Sequence, residues 1–528
     1  MVARARYDTV IVGAGSAGAI LAARLTEDRG RAVCVIEAGP DHPDLETMPD
    51  ELRTASMIDE RHAPYLWHHT ARATALRPAL AAPSGRVVGG SSAINTTVFL
   101  WALRPDLDGW ARVAGPSWSY EACVPYFRRI ESDLDFPNGA HGTTGPVPVE
   151  RPARAAWSKA AAAYHELCLS LGYPDCPDFN APDAVGIGPV PFNKRDGVRM
   201  STAVAYLAPA RARPNLRILA RSCARRVVCE GTRAVAVEVA TEMGPLVVGA
   251  GEIVLSAGAI ASPQLLMLSG IGPSEDVVRV GIEPIADLRG VGRNLRNHPL
   301  CATAWSLAPT YGEPELLGIP WQTQLRTTAP GSRDREDACL GMAVLGSRPV
   351  ATAARVTATS GPKLGISTLL MHAASRGTVR LASDDPDVQP DIDLSYLAET
   401  TDLDRMRAMV RLAVELGRHS RLDGLRGELL DPTPADLASD AALDEWMLRN
   451  VLTSHHPAGT CRMGSDDDSV VDDQGRVHGF EGLRVVDASI MPDCPRVNVN
   501  ATTMMVAEKV ADAMRGIAPA TSAARASA

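Results

Sequence analysis

A glycine-rich turn between a short apolar run and a helical segment lies near the start of the chain. Residues 7–37 read YDTVIVGAGSAGAILAARLTEDRGRAVCVIE. The apolar run Thr9 to Val12 predicts a strand, Ala19 to Leu25 have helical composition, and Ala32 to Ile36 predict a second strand. A strand–turn–helix–strand unit of this kind predicts an α/β domain with parallel strands.

The glycines of this turn each meet a separate requirement of nucleotide binding. Gly13 permits the tight turn, Gly15 lets the backbone approach a pyrophosphate, and Gly18 lets the helix pack closely on the strand. The free N–H groups at the helix N-terminus face the phosphates. Glu37 follows Gly18 by 19 residues and is placed to accept hydrogen bonds from an adenosine ribose. The pattern predicts a dinucleotide site and, with a glutamate after the second strand, favours FAD over NAD without deciding between them.

Size and charge narrow the class of protein. The 528 residues suffice for two or three domains, and the net charge of -9 argues against a nucleic-acid partner. The 10 cysteines occur singly, with no C-x-x-C pair, which favours a reducing cytoplasm over a zinc or disulfide framework. No apolar run reaches about 18 residues, so no membrane-spanning segment is predicted.

Two further segments are rich in small residues. Residues 85–98, GRVVGGSSAINTTV, form a loop with many backbone N–H groups and little side-chain bulk, which suits a flat cofactor. Residues 257–273, AGAIASPQLLMLSGIGP, follow a predicted strand at Val254 to Ser256. Ser262-Pro263 predicts a helix start with proline at the first helical position, and Gly270 predicts its end.

These segments, in this order, resemble the signatures of the glucose–methanol–choline (GMC) family of FAD-dependent oxidoreductases. Four later segments match the family as well: RGVGRNLRNHP at 289–299, HPAGTCRMG at 456–464, RVVDASIMP at 484–492 and NVNATTMMVAEKVADAM at 498–514. The resemblance covers essentially the whole chain.

The resemblance implies an α/β (α+β) fold. A Rossmann-like FAD-binding domain would take residues 1–155, 215–300 and 450–517, and a tail would follow at 518–528. A substrate domain on an antiparallel or mixed sheet would be inserted as residues 156–214 and 301–449. Within it, 376–397 resembles the family's strand and following turn, with the strand at Thr378 to Leu381.

The resemblance also implies which residues contact the cofactor. Together with the glycine turn and Glu37, the predicted set is Gly13, Gly15, Ser16, Ala17, Gly18, Glu37, Ala38, Val87, Gly89, Gly90, Asn95, Thr96, Thr97, Val98, Val227, Asp487, Ala488 and Asn500. Members with covalent flavin carry a histidine near the position of Ile94, so FAD is expected to be non-covalent here. Asn297 stands where the family often has aspartate.

Two adjacent histidines head the segment at 456–464. The resemblance assigns catalysis to His456, whose neutral imidazole would take the hydroxyl proton of an alcohol while a hydride passes to flavin N5. Neighbours on an extended segment point to opposite sides, so His455 is expected to be structural or to lie at the cavity edge. No metal site is expected from the pair.

A second polar group is expected beside the substrate oxygen. The resemblance places it at Asn500, not Asn498, because an amide can donate to a developing alkoxide. The alternative for Asn500 is a plain cap of the following helix, and the two roles need not exclude each other. The N-terminus of that helix could also face the flavin. Trp67 is expected at the active-site rim or in the core, and His68 and His69 at the surface.

The predicted reaction is oxidation of an alcohol CH–OH to a carbonyl by a small-molecule oxidase or dehydrogenase, similar to aryl-alcohol oxidases and choline dehydrogenases. Oxygen, a quinone or another redox carrier would reoxidise the flavin. A hydroxynitrile lyase of the same family, a flavin-binding scaffold and an NAD-dependent dehydrogenase are the alternatives. The sequence gives neither the alcohol nor the oligomeric state.

Overall fold

The computed structural model describes residues 6–137, 139–312, 319–346 and 361–518, and two seven-stranded sheets organise it. The predicted α/β (α+β) class is confirmed. Most of the predicted tail, from residue 519 onward, lies outside the described residues.

The first sheet contains the predicted strand–turn–helix–strand unit. Its strands, in spatial order, are Leu216–Leu219, Val33–Ile36, Arg6–Val12, Gly244–Leu255, Arg233–Thr241 and Ser222–Glu230, and Leu483–Val485 also pairs with Gly244–Leu255. The first four run parallel, as does Leu483–Val485, whereas the hairpin strands 222–230 and 233–241 pair antiparallel. Helix Gly18–Leu25 packs on this sheet and buries nearly all of its residues.

The parallel strands of the first sheet end at one edge. Val12 leads into Gly13, Ile36 leads into Glu37, and Leu255 lies beside Val485. In such sheets ligands bind outside the carboxyl ends of the strands, so this topology brings the early and late motifs of the chain to one place.

The second sheet is antiparallel throughout. Its spatial order is Arg426–Asp431, Pro299–Leu307, Lys363–Leu370, Ala338–Leu345, Thr323–Thr327 and Gly186–Pro189, and Leu452–Thr453 also pairs with Pro299–Leu307. Helix Thr400–Arg418 packs so closely on it that a Cβ on Gly417 would lie 2.0 Å from the Trp305 ring. Strand 186–189 pairs with strand 323–327, so residues before and after the segment 215–300 contribute to one sheet.

Two predicted boundaries fall inside the second sheet. Strand Pro299–Leu307 begins before residue 301, and Leu452–Thr453 lies after residue 449, yet both belong to this sheet. The segment that carries His456 therefore leaves directly from the second sheet toward the first.

The remaining elements are further α-helices and short strand pairs. The other helices are Asp50–Arg53, Arg104–Ala114, Tyr120–Ile130, Lys159–Ser170, Ala208–Ala210, Gly258–Leu268, Ser274–Arg279, Asp440–Asn450 and Val499–Met514. Short strand pairs join 66–67 with 84–85, 70–71 with 80–81, 131–133 with 147–149, 194–195 with 198–199, 271–272 with 286–287 and 378–380 with 391–393. Among the described residues, none of the helices has the length and apolar character needed to cross a bilayer.

A cluster of buried charged side chains surrounds His141. His141 contacts Glu131 and Asp178 at 2.8 Å each, and Arg151 pairs with Asp133 at 2.9 Å and with Asp178 at 2.8 Å. Burial opposes protonation of His141, but the hydrogen bonds to Asp178 and Glu131 prevail and raise its pKa to about 9. The side chains of His141 and Arg151 therefore supply the positive charges that face these carboxylates.

Candidate active site

The glycine turn has the geometry that its spacing predicts. Gly13 has φ +99°, and a Cβ there would lie 2.5 Å from the Ser256 carbonyl oxygen. A Cβ on Gly18 would lie 1.9 Å from the Gly13 carbonyl oxygen, which shows why the helix can approach the strand only at a glycine. The turn is therefore closely packed on all sides except toward the cavity.

Glu37 supports the backbone beside this turn. Its carboxylate accepts hydrogen bonds from the Ala14 N–H at 2.9 Å and the Gly39 N–H at 2.8 Å. Burial outweighs these bonds and raises the pKa of Glu37 to about 7. Because each oxygen uses one lone pair in these bonds, acceptor capacity remains toward the cavity that Glu37 lines.

The loop at 85–98 lies directly on the glycine turn. A Cβ on Gly90 would lie 2.6 Å from the Cα of Gly15, and one on Gly85 would lie 2.3 Å from the Gly90 carbonyl carbon. A side chain at Gly90 would separate this loop from the glycine turn, whereas one at Gly85 would disrupt the fold of the loop itself. The sequence predicted that both loops serve one cofactor, and the close approach explains the glycines.

One cavity of about 540 Å³ collects most of the predicted residues. Those that line it are Gly13, Gly15, Ser16, Ala17, Glu37, Ala38, Gly90, Asn95, Thr96, Val98, His456, Asp487, Ala488 and Asn500. The predicted Gly18, Val87, Gly89, Thr97 and Val227 are not among its lining residues. Val87 and Thr97 are buried, and Gly89 shapes the loop with φ +101°.

Val227 lies outside the cavity lining. Its side chain is buried in the core, and its N–H donates to Ser269 Oγ at 2.8 Å. The same strand meets the cavity at Ser222, Cys223 and Ala224 instead. The register of this strand shifts at an irregularity between Ala224 and Arg226, and a sequence motif contains no sign of such a shift.

Asp487 ties the late segment to helix Gly258–Leu268. Its carboxylate accepts from the Gly258 N–H at 2.8 Å and from Ser262 Oγ at 2.6 Å. The helix therefore begins at Gly258 rather than at the predicted Ser262-Pro263, because Asp487 supplies the acceptor that its first turn needs. Pro263 lies inside the helix.

His456 is held on both ring nitrogens. Nδ1 lies 2.9 Å from His298 Nδ1, and Nε2 lies 3.0 Å from the Asn498 amide nitrogen. With the amide donating, the His456 proton lies on Nδ1 and Nε2 keeps its lone pair. Burial, with His298 and His455 close by, keeps the pKa of His456 well below its ordinary value. The imidazole is therefore a neutral acceptor at neutral pH.

The amide beside His456 belongs to Asn498 and not to the predicted Asn500. Helix Val499–Met514 begins one residue after Asn498, so Asn500 is its second residue and not its cap. Asn500 Oδ1 accepts from Ser16 Oγ at 2.8 Å. Both amides line the cavity, but they serve different neighbours.

His455 does not follow the extended geometry that was expected. Its φ is +61°, which is rare for a residue with a side chain, so the chain bends and both histidines line the cavity. Its N–H donates to Thr453 Oγ1 at 3.1 Å. Burial lowers the pKa of His455 to about 4, so this ring is neutral as well.

Asn297 joins the two segments that carry His298 and His456. Its Oδ1 accepts from the His456 N–H at 3.0 Å and from the His298 N–H at 2.9 Å, while its amide donates to Thr453 Oγ1 at 3.1 Å. An amide can accept through its oxygen and donate through its nitrogen, whereas an ionised carboxylate can only accept. This accounts for asparagine where the family often has aspartate.

The rim of the cavity includes a short aromatic stack. Trp67 and His69 stack with ring centroids 6.2 Å apart, and the Arg86 guanidinium lies 5.0 Å from the Trp67 centroid. His68 is exposed, but His69 is half-buried, and burial lowers its pKa to about 4. Both line the cavity, and His69 is partly shielded from solvent there.

Sequence reasoning missed His298, Asn498 and Ala224. His298 lies inside the quoted segment at 289–299, next to Asn297, and its contact with His456 appears only when the strands pair. The buried His298 ring has its pKa lowered to about 4 by burial, with the Pro495 backbone acting in the opposite direction.

The cavity fits FAD. It is lined by a carboxylate at the nucleotide turn, by Ala17 directly before helix Gly18–Leu25, and by His456 and Asn498. A Cβ on Gly90 would lie 2.6 Å from the Gly15 Cα, so glycine is required where the two loops meet in this lining. Glu37, the turn at 13–18 and the loop at 85–98 would hold the nucleotide, and His456 would face the reacting group.

Comparison with known proteins identifies the family. The GMC oxidoreductase family models match residues 7–300 and 373–507. An oxygen-dependent choline dehydrogenase of Serratia proteamaculans (strain 568) is 37% identical, covering 97% of this chain and 96% of the relative. An uncharacterized GMC-type oxidoreductase of Rhodococcus erythropolis is 35% identical, covering 96% and 98%.

A solved structure shows the same fold. The crystal structure of pyridoxine 4-oxidase from Mesorbium loti superposes with a TM-score of 0.87 at 33% identity, covering 97% of this chain and 100% of that one. The chain belongs to the GMC oxidoreductase family, and it is an FAD-dependent oxidoreductase that acts on CH–OH donors.

Proposed function

We propose that the chain oxidises a small alcohol to the corresponding carbonyl compound, with His456 as the base. The observation that carries the proposal is the neutral His456 ring, fixed by His298 on one nitrogen and facing the Asn498 amide with the other. Both residues line the cavity that also contains the nucleotide turn.

The residues suggest the following sequence of contacts. The substrate hydroxyl replaces the Asn498 amide as the donor to His456 Nε2, and the released amide N–H donates to the substrate oxygen. As the O–H proton moves to Nε2, the amide stabilises the negative charge that develops on that oxygen. When bound, FAD supplies the acceptor for the hydride of the carbinol C–H bond.

His298 keeps the His456 ring in place during proton transfer. Its Nδ1 contact leaves the His456 ring a single orientation toward the cavity, and the two rings meet edge to face at 76°. A positioned base of this kind typically contributes about 10²–10⁴ in rate. We assign Asn500, through Ser16, to the nucleotide side of the cavity.

The coenzyme is proposed to be dissociable. Ile94 lines the cavity at the position where covalent members of the family carry histidine, and an isoleucine side chain offers no nucleophile. Denaturation should therefore release all of the flavin into the supernatant. A protein that stays yellow after precipitation would contradict this point.

The experiment that tests the function is an anaerobic screen of alcohols. Benzylic, furfurylic, pyridoxine-type and choline-type alcohols are added to the purified protein, and loss of flavin absorbance is recorded. Reoxidation by air is then compared with reoxidation by a quinone, which separates an oxidase from a dehydrogenase. A hydroxynitrile lyase would bind FAD without bleaching by any alcohol, and that outcome would refute the proposal.

A further inference from the structure

Arg199 is a fully buried cation whose hydrogen bonds all go to neutral oxygens. Its Nε donates to the Leu52 carbonyl at 3.1 Å, and Nη2 donates to the carbonyls of Thr54 at 3.0 Å and Ser56 at 3.4 Å. Nη1 donates to the Asn95 carbonyl and to Asn95 Oδ1. Its relative exposure is 0%.

No carboxylate among the described residues pairs with this guanidinium. The salt bridges of the structure include most of the other buried arginines, for example Arg496 with Asp106 and Arg296 with Asp493. Burial alone lowers the pKa of Arg199 to about 9, so the side chain is still charged at neutral pH. An unpaired charge is costly to bury, and carbonyl dipoles offset only part of that cost.

The position of Arg199 links it to the coenzyme cavity. Asn95, which binds it through two oxygens, lines the cavity, and so does Ile58 just beyond the segment 52–56. Thr202 follows Arg199 by three residues. Its Oγ1 lies 3.0 Å from Ser92 Oγ and donates to the Gly15 carbonyl at 3.3 Å. The charge therefore lies one residue behind the cavity wall.

We propose that Arg199 is the built-in counter-charge for bound FAD, acting through Asn95 on the negative charge that the coenzyme brings into the cavity. FAD carries a pyrophosphate, and its reduced ring gains further negative charge. A buried cation behind the cavity wall would act on charge in the cavity through a medium of low dielectric constant, where electrostatic interactions are strong. Arg199 is thus a positioning and tuning residue that does not itself touch the substrate.

Two replacements separate charge from packing. Arg199→Lys keeps the positive charge and loses the planar fork, whereas Arg199→Gln keeps hydrogen-bond donors and loses the charge. Arg199→Met serves as a second neutral variant if the glutamine protein does not fold, since apolar replacements of buried ions are often tolerated. Arg326→Gln is the control, because Arg326 is buried on carbonyls of Phe179 and Ala184, which lie outside the cavity lining.

The readouts are the FAD dissociation constant and the flavin midpoint potential, both measured without alcohol. The neutral Arg199 variants should bind FAD at least about tenfold more weakly, or shift the potential at least about 30 mV negative, which is tenfold in the two-electron equilibrium. Arg199→Lys should stay close to the wild type in both, and Arg326→Gln should change neither.

Two results would overturn the proposal. Equal effects of Arg199→Lys and the neutral variants would make Arg199 a packing residue. Unchanged affinity and potential in the neutral variants would remove the counter-charge altogether. Because the proposal rests on FAD binding and not on the assigned alcohol chemistry, neither result depends on whether any alcohol reduces the flavin.

Discussion

The hydroxyl of Thr460 donates to the carbonyl oxygen of Ala259 at 2.6 Å, across 201 positions of sequence. In a regular helix the N–H of residue 263 would bond that carbonyl, but residue 263 is proline. Thr460 therefore fills a gap that Pro263 leaves. This contact joins the segment that carries His456 to the helix at the cavity wall, and it gives the threonine after His456-Pro457-Ala458-Gly459 a physical reason.

Thr460→Val should cost about 1–3 kcal/mol of unfolding free energy, because it leaves a buried carbonyl unpaired. Pro263→Ala restores an N–H, so the same change should cost at least about 1 kcal/mol less in that background. Urea unfolding of the wild type, the two single variants and the double variant measures this double-mutant cycle. Equal costs of Thr460→Val in both backgrounds would show that the two residues act independently.

Glu37→Gln should weaken FAD binding about tenfold or more. The carboxylate accepts two backbone N–H groups, whereas an amide offers one oxygen and turns its NH₂ group toward the other donor. Titration of the apoprotein with FAD measures the effect. Glu238→Gln, which breaks an exposed ion pair with Arg226 on the same sheet, is the matched control and should bind FAD normally. Equal affinities of the Glu37→Gln and Glu238→Gln proteins would argue against this role.

Asn498→Ala and Asn500→Ala should have different effects. Removing the Asn498 amide takes away the partner of His456 Nε2, so flavin reduction by alcohol should slow by about 10²-fold while FAD affinity stays near normal. Removing the Asn500 amide breaks its bond with Ser16, so mainly FAD affinity should fall. Stopped-flow reduction and FAD titration separate the two. The reverse pattern would restore Asn500 as the residue beside the substrate oxygen.

Acid should destabilise the protein through His298. The pKa of this buried ring is about 4 in the folded protein, below its ordinary 6.5, so the unfolded chain binds a proton that the folded protein does not. Stability is full above pH 6.5 and falls as the pH drops toward 4, by about 2 kcal/mol at pH 5 from this group alone. Urea midpoints at pH 7 and pH 5 test this. His298→Gln should reduce the difference in urea midpoint between the two pH values, and replacement of exposed His68 should leave that difference unchanged. Equal differences in both variants would exclude His298 as the source.

Residues 7–37 could be predicted closely from sequence because every determinant is local. Glycines that permit a tight turn, a β-branched run and a helical segment occur within one short stretch, and the structure has the strand at Arg6–Val12 and the helix at Gly18–Leu25. Most of the residues that the family motifs indicated also line the cavity.

The errors concern which side of an element faces the cavity. Asn498 and Asn500 lie two positions apart at a helix start, about 200° around the axis, so the exact first residue decides which one meets His456. Val227 and Ala224 lie on one strand whose register shifts between them. His455 bends the chain by a left-handed conformation. The first residue of a helix, the shift of a strand and a left-handed backbone angle all depend on tertiary packing, which the sequence motif does not contain.

The most direct test of the account is anaerobic flavin reduction by a reactive alcohol in the wild type and in the His456→Ala protein. The variant should purify with its FAD, because the nucleotide turn and Glu37 are untouched. Its rate of flavin reduction should fall by about 10²–10⁴. A His456→Ala protein that keeps its FAD and is reduced as fast as the wild type would contradict the assignment of the base.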